Sequence, residues 1–557
     1  MKTTVKGSRR LSGLVLSIAL IPGLAVEAGE NSASGSAQFE VSSAVERIER
    51  WNDELNAVIT VNELAGKQAL ELDRERLAGE LRGPLHGVPV LIKDNIETRE
   101  MATTAGSLAL ADNRTGRDAA VVARLRERGL VILGKTNLSE WANFRSERSS
   151  SGWSAVGGQA RNPYDTNRSP CGSSSGSAVA VAAGMVALAV GTETNGSVIC
   201  PSSVNGIVGI KPTVGLVSRR GIVPISHSQD TAGPMAANVR DAAYLLTEMA
   251  AYDSSDSASP VGTVYFERDY STALRASGLN GKRIGVVRSL AGFHEGVDLA
   301  FERALEDFRT GGAEVVDDLS FPDYPEGFGG QAYDVLLYEF KHDLNQYLAG
   351  LPGPAGELTL QKLIEFNRVQ ADAEMQWFRQ EIFLKSEEKQ GLDTGEYLEA
   401  LEQVQSFSRN AIDKLLEEHN LDVLVSPSNT PAWVIDLVVG DRWLGSSSSI
   451  PARAGYPHIT VPMGYVHGLP AGLSFYGAAY SELVLIEAAY AYEQISRRAR
   501  PPEGFGEWTP AVSEDAGNKR SSLDGVFGEM LAIPTMVGES ARCQVAEGEE
   551  GEGSSCS

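Results

Sequence analysis

Cysteine, histidine and positive charge are all scarce in this chain, and each scarcity removes a class of function. Four cysteines in 557 residues (Cys171, Cys200, Cys543 and Cys556) are too few for a disulfide-built scaffold. Neither they nor the seven histidines fall at metal-ligand spacing, so no metal or organic cofactor is expected. Lys and Arg number 49 against 73 Asp and Glu, a net charge of −24, which works against a grip on nucleic acid or an anionic membrane surface. Aromatic residues make up only 7%. Beyond the N-terminus no apolar run is long enough for a membrane span. With 42% hydrophobic and 22% charged residues, what remains is the composition of a soluble globular protein with a large core.

At the N-terminus, Lys2, Lys6, Arg9 and Arg10 precede the apolar run LSGLVLSIALIPGLA, and Val26-Glu27-Ala28 offers small residues at a cleavage point. Residues 1–28 therefore read as a secretory signal peptide, since the run is short for an uncleaved anchor, and the protein is expected to be secreted or periplasmic. Residues 29–39 form a polar leader and residues 40–500 one domain without repeat or linker. Residues 501–557 are an acidic tail, ending AEGEEGEGSSCS, expected to be disordered or peripheral. Cys543 and Cys556 can pair within that tail, and Cys171 and Cys200 can approach each other; spacing leaves both pairings open.

Residues 42–81 carry apolar positions at helical spacing and suggest two amphipathic helices. GVPVLIKDNI reads as a buried strand ending at Lys93, DAAVVARLRERG as a helix stopped by Gly129, and LVILGKTN as the next strand. Strand, helix and strand in that order point to an α/β fold with a parallel or mixed sheet. SAVAVAAGMVALAVG should begin as a helix and end as a strand, buried all round. Residues 325–420 form a long helical stretch where elements covering the substrate are expected.

Two motifs match by letters alone. GLVILGKT satisfies the phosphate-loop pattern, but Leu130 to Leu133 read as the strand itself and not as a flexible glycine-rich loop. Gly172-Ser173-Ser174-Ser175-Gly176 fits a nucleophile elbow, yet the residues before it are polar turn formers where that motif needs a buried strand. Nor does His227, His458 or His467 stand in a setting that marks a base.

Three segments remain: GPLHGVPVLIKDNI with Lys93, PCGSSSGS with Ser173, and GTETNGS with Ser197. Together with VILGKTNLSEWA, NGIVGIKPTVGLVSRRGIVPIS and SQDTAGPMA, they make the chain resemble the amidase signature family over residues 40–500. Among its members the likeness is greatest to the bacterial peptide amidases, through WANFRS, SPCGSSSGS and ICPSSVNGIVGIKPT. The resemblance implies one large α/β/α domain with a mixed, mostly parallel sheet covered by helices. It also implies a Ser-Ser-Lys triad of Ser197, Ser173 and Lys93, with a cis peptide bond at the bridging serine. The expected activity is amide hydrolysis through an acyl-enzyme, releasing ammonia from carboxamides, foremost the C-terminal amides of peptides. A monomer acting on small-molecule or peptide amides is expected.

The chemistry stands on the residues as well. Serine is a poor nucleophile near neutral pH and needs a base. A lysine starts near pKa ~10.4 and must be lowered to about 7–8 to act as a neutral amine, at a cost of about 4 kcal/mol. Burial can impose that, and VPVLIK gives Lys93 an apolar approach. Ser173 would relay the proton. The small residues of Thr194-Asn195-Gly196-Ser197 let successive backbone amides point into one cavity, where each oxyanion donor is worth about 3 kcal/mol. Singly, each residue has a plain structural reading as a solvated lysine or a turn serine.

Some positions depart from the commoner family pattern. Cys171, Ser175 and Asn195 stand where glycine is frequent, Glu193 where aspartate is, and Cys200 where arginine is. Glu193 and Cys200 match the peptide-amidase branch, and Asn195 tolerates left-handed backbone better than most residues. The competing readings are an amidase of small aliphatic, aryl or fatty acyl amides, a glutaminase subunit of a tRNA-dependent amidotransferase, and an inactive binding protein on the same fold.

Overall fold

The run PVLIK forms a fully buried strand, as its β-branched composition predicts, and the candidate site is built outward from its last residue. The structure, a computed structural model, describes residues 35–259, 265–266 and 268–512. The signal-peptide reading, Cys543, Cys556 and the tail beyond residue 512 lie outside the described residues.

In chain order the strands are β1 (Val58–Val61), β2 (Pro89–Lys93), β3 (Val131–Thr136), β4 (Trp153–Ser154), β5 (Gly158–Gln159), β6 (Leu188–Glu193) and β7 (Val208–Lys211). There follow β8 (Thr231–Ala236), β9 (Arg283–Val287), β10 (Glu314–Leu319), β11 (Val423–Pro427), β12 (His458–Val466) and β13 (Leu469–Tyr476). Eleven of them form one sheet in the order β1-β3-β2-β6-β8-β7-β12-β13-β11-β9-β10, while β4 and β5 pair separately.

The sheet is mixed and helix-covered, as the resemblance implies, but the expectation that it is mostly parallel is corrected. Parallel pairing is confined to β3/β2, β2/β6, β11/β9 and β9/β10. The other six neighbour pairings are antiparallel. Four of the six antiparallel pairs join strands that are not sequence neighbours, so the path of the chain sets their direction, and connection length bears only on neighbours such as β2/β3 and β12/β13. A parallel pair needs a crossover of about a dozen residues or more, and the helix Ala120–Glu127 supplies one between β2 and β3. β12 and β13 instead meet through His467 and Gly468, both at positive φ, a two-residue turn that can only return the chain antiparallel.

The two amphipathic helices are Ala37–Leu55 and Ala65–Leu77; the first begins inside the segment read as a leader. Between them lies β1, a strand the helical periodicity concealed, paired with β3 at the sheet edge. The apolar run after Ser174 divides as expected into the helix Ser175–Ala182 and β6, and every residue of that helix is buried. Its small side chains are needed: a Cβ at Gly176 would collide with the Ala57 carbonyl. Phe505 and Trp508 pack against the same core, and the Trp508 indole donates to the Ala182 carbonyl (2.9 Å), so the chain past residue 500 stays on the body here. Among the described residues no helix is long and apolar enough to cross a membrane.

Candidate active site

Lys93 ends β2 with no solvent exposure. Its Nζ lies 2.7 Å from Ser173 Oγ, 2.8 Å from Thr192 Oγ1 and 3.2 Å from the Thr192 carbonyl oxygen. Among the described residues no carboxylate is in ion-pair contact with it. Burial therefore prevails over the more distant Asp230 and Glu193, and the ammonium is destabilised until the pKa falls to about 7. Lys135, equally buried on neighbouring β3, makes the contrast: its Nζ sits 2.9 Å from Asp94 Oδ1.

Ser173 is set by its surroundings. The Gly172–Ser173 peptide bond is cis. The Ser173 carbonyl accepts from the Ser139 amide (3.1 Å), and the next residue ties the loop to β6, Ser174 Oγ donating to the Thr192 carbonyl (3.0 Å). The Ser174 amide also donates to the Ser197 carbonyl (3.1 Å), which draws the two serine loops together.

Ser197 lines a cavity of about 330 Å³, on the loop between β6 and the helix Ile199–Val204. Glu193 fixes that loop. Its buried carboxylate accepts from the Val198 amide (2.8 Å) and the Ile199 amide (3.0 Å), capping the helix that follows. Thr194, Asn195, Gly196 and Ser197 all line the cavity. Among the described residues the backbone amides of Asn195, Gly196 and Ser197 donate to nothing in the protein, so they remain available to an anion. Gly196, at φ 82°, carries the left-handed turn; Asn195 does not. The Asn195 side chain instead accepts from Ser448 Oγ at 2.8 Å.

Cys171 and Cys200 form a disulfide with Cα atoms 6.0 Å apart, joining the Ser173 loop to the start of the helix after Ser197. Cross-linking residues 29 apart in sequence restricts the unfolded chain by roughly 3–4 kcal/mol. The double variant Cys171→Ala/Cys200→Ala is expected to lose about that much unfolding free energy in urea titration; unchanged midpoints would contradict it.

Matched against known proteins, residues 40–486 fit the family model described as Amidase. The chain belongs to the amidase signature family. A probable amidase of Arabidopsis thaliana is 43% identical over 470 residues, covering 82% of this chain and 86% of the relative. A glutamyl-tRNA(Gln) amidotransferase subunit from Symbiobacterium thermophilum is 34% identical over 510 residues, covering 88% and 97%. Among solved structures, the native peptide amidase from Stenotrophomonas maltophilia has a TM-score of 0.80 at 47% identity, covering 84% of this chain and 95% of that one. A peptide amidase bound to the competitive inhibitor chymostatin has a TM-score of 0.81 at 48% identity, covering 84% and 96%. The protein is thus an amide hydrolase.

Sequence reasoning missed two residues around the amidase site. Thr192 holds Lys93, and Asp230 accepts from the Ile225 amide (2.7 Å), the Ser226 amide (2.9 Å) and Thr194 Oγ1. Both lie in segments quoted for the family likeness, GTETNGS and SQDTAGPMA, but a threonine or an aspartate in a turn-rich stretch carries no signal of its own. Two of the histidines are engaged by protein partners. His458 is buried against Ser474 Oγ (2.6 Å), and burial lowers its pKa to about 3. His227 bonds Asp343 (2.9 Å), while Glu339 accepts from Tyr397 (2.8 Å) and the Ser228 hydroxyl (2.9 Å). This His-Glu-Asp cluster is filled by protein donors, and it buttresses the loop that bears Asp230. The helix Phe328–Ala349, from the stretch expected to cover the substrate, contributes Leu336 to the cavity wall.

Proposed function

We propose that this amidase releases ammonia from the C-terminal carboxamides of peptides, with Ser197 as nucleophile, Ser173 as proton relay and Lys93 as base. The observation that carries the reading is the buried Lys93 amine, 2.7 Å from Ser173 Oγ, whose pKa burial lowers to about 7. A neutral amine has two N–H bonds and one lone pair. Thr192 offers two acceptors, its carbonyl and its hydroxyl oxygen. The lone pair is then left for the Ser173 hydroxyl proton.

Ser197 Oγ attacks the amide carbon, its proton passing to Ser173 Oγ while the Ser173 proton passes to Lys93 Nζ. The oxyanion is received by the free amides of residues 195–197. As the C–N bond breaks, the relay runs backward, the leaving nitrogen takes the proton, and ammonia departs. Water, activated by the same relay, attacks the Ser197 ester and releases the acid.

Peptide substrates are favoured by the identity to the peptide amidases and by the apolar cavity wall of Phe144, Ile225, Leu336 and Trp433. The disulfide supports an exported protein, because thiols in reducing compartments rarely stay paired. The test is ammonia release from an N-acetylated peptide amide, run beside a simple aryl amide and free glutamine. Peptide turnover well above the other two is expected. Turnover of the aryl amide alone would reject the substrate, and of glutamine alone would indicate the amidotransferase-type reading.

A further inference from the structure

Between β11 and the helix Ser449–Ala454 the chain runs as a loop along the surface of the body, its start packed against the Cys171 segment. An isolated bridge between Asn429 and Ser446 closes the ends, and the Thr430 amide donates to the Gly445 carbonyl (3.3 Å). The enclosed residues 430–445 form a compact loop of the kind that is often functional. Asp441 pins its far side inward: its carboxylate accepts from the Ser151 amide (3.1 Å) and from the Trp433 indole (3.0 Å). Burial raises the Asp441 pKa, so those donors hold a carboxylate that the surroundings disfavour.

The loop's outer side is unexpectedly apolar. Val434, Val438, Val439, Trp443 and Leu444 are all at least half exposed, Trp443 at 63% and Val438 at 82%. Single exposed apolar residues need no explanation, but five within eleven positions on one pinned loop do. Trp443 faces Trp433 edge to face, with ring centroids 6.5 Å apart, and both rings line the same cavity as Ser197. The exposed patch is therefore continuous with the reaction chamber. Both rings thus lie on the wall along which a substrate chain reaching outward from Ser197 can run.

We infer that residues 430–445 form a specificity rim in which Trp443, flanked by Trp433, receives an apolar side chain of the residue preceding the amidated one. The inference rests on the peptide-amide reading above and deepens it: the preferred substrates are amidated peptides with an aromatic or branched aliphatic penultimate residue. An indole edge paired with a second indole suits aromatic contact, and Trp433, the inner of the two rings, is anchored through Asp441.

The test compares kcat/KM for N-acetyl-Phe-Leu-amide and N-acetyl-Gly-Leu-amide, measured by ammonia release, in the wild type and in Trp443→Ala. The wild type is expected to prefer the phenylalanyl substrate by roughly 10–100-fold, the range a single apolar pocket achieves. Trp443→Ala should bring the preference to within about threefold of unity. Its exposed position makes misfolding a poor explanation for that change, and an unaltered urea midpoint checks it. An undiminished preference in Trp443→Ala overturns the rim. So does an unaltered preference accompanied by lost cosedimentation with phosphatidylcholine vesicles, which would make the loop a membrane-docking surface. Failure of both peptides beside rapid aryl-amide turnover would sink the peptide reading itself, and the rim with it.

Discussion

Ser197→Ala is expected to lower amide turnover by at least about 10⁴-fold while leaving the urea midpoint unchanged. Removing the proposed nucleophile leaves only what the oxyanion donors and substrate binding supply. The side chain is small and lines an open cavity, so its truncation leaves no large void. The same variant should lose covalent labelling by a fluorophosphonate, because the phosphorus is attacked by Oγ and by no other atom. Turnover within tenfold of the wild type would remove Ser197 from the reaction.

Lys93→Met and Lys93→Arg should both lose activity by roughly 10³–10⁴-fold, a general-base contribution at the upper end of its usual range. The arginine variant is the sharper of the two. Arginine keeps a cation at that place but does not become neutral in proteins. If positive charge were what the reaction used, arginine would retain activity; if a lone pair is used, it fails as methionine does. The pH dependence has a definite sign. Burial lowers the wild-type amine to about 7, so with Lys93 as the proposed base kcat/KM is expected to rise as pH passes through 7 and then level off. Stability moves the same way. Between pH 7 and the lysine's ordinary pKa of ~10.4, the unfolded chain holds a proton that the folded chain does not. Wild-type stability should therefore rise over that window relative to Lys93→Met, by a total on the order of 4 kcal/mol. Parallel pH profiles for the two proteins would mean that Lys93 is an ordinary ammonium.

What the sequence made legible, and what it hid, follows from the range of the forces involved. VPVLIK is legible as a buried strand because a short unbroken apolar run with Val and Ile is a local signal, and Lys93 falls at its end as expected. The helix-to-strand change after Ser174 was readable because small apolar residues at that density have nowhere to go but the interior. β1 was not, since four residues between two strong helical patterns show no period of their own. β8, with the sequence TAGPMA, contains glycine and proline and lacks β-branched residues beyond Thr231; neighbours on both sides make it a strand. The predominance of antiparallel pairing depends on which distant strands meet, and no local pattern records that. The same holds at the site. Lys93, Ser173 and Ser197 were visible as a set of motifs, while the second partner of Lys93, the Cys171–Cys200 pairing and the loop carrying Trp443 are products of the fold.

The central claim is that a buried, uncharged lysine amine activates Ser197 through Ser173. It is tested most directly by the rate at which a fluorophosphonate modifies Ser197, followed by mass spectrometry from pH 5 to pH 10. A rate that climbs to a plateau with a midpoint near 7, and loses that midpoint in Lys93→Arg, is the predicted result. A rate proportional to hydroxide throughout, identical in the two proteins, would show that the amine takes no part.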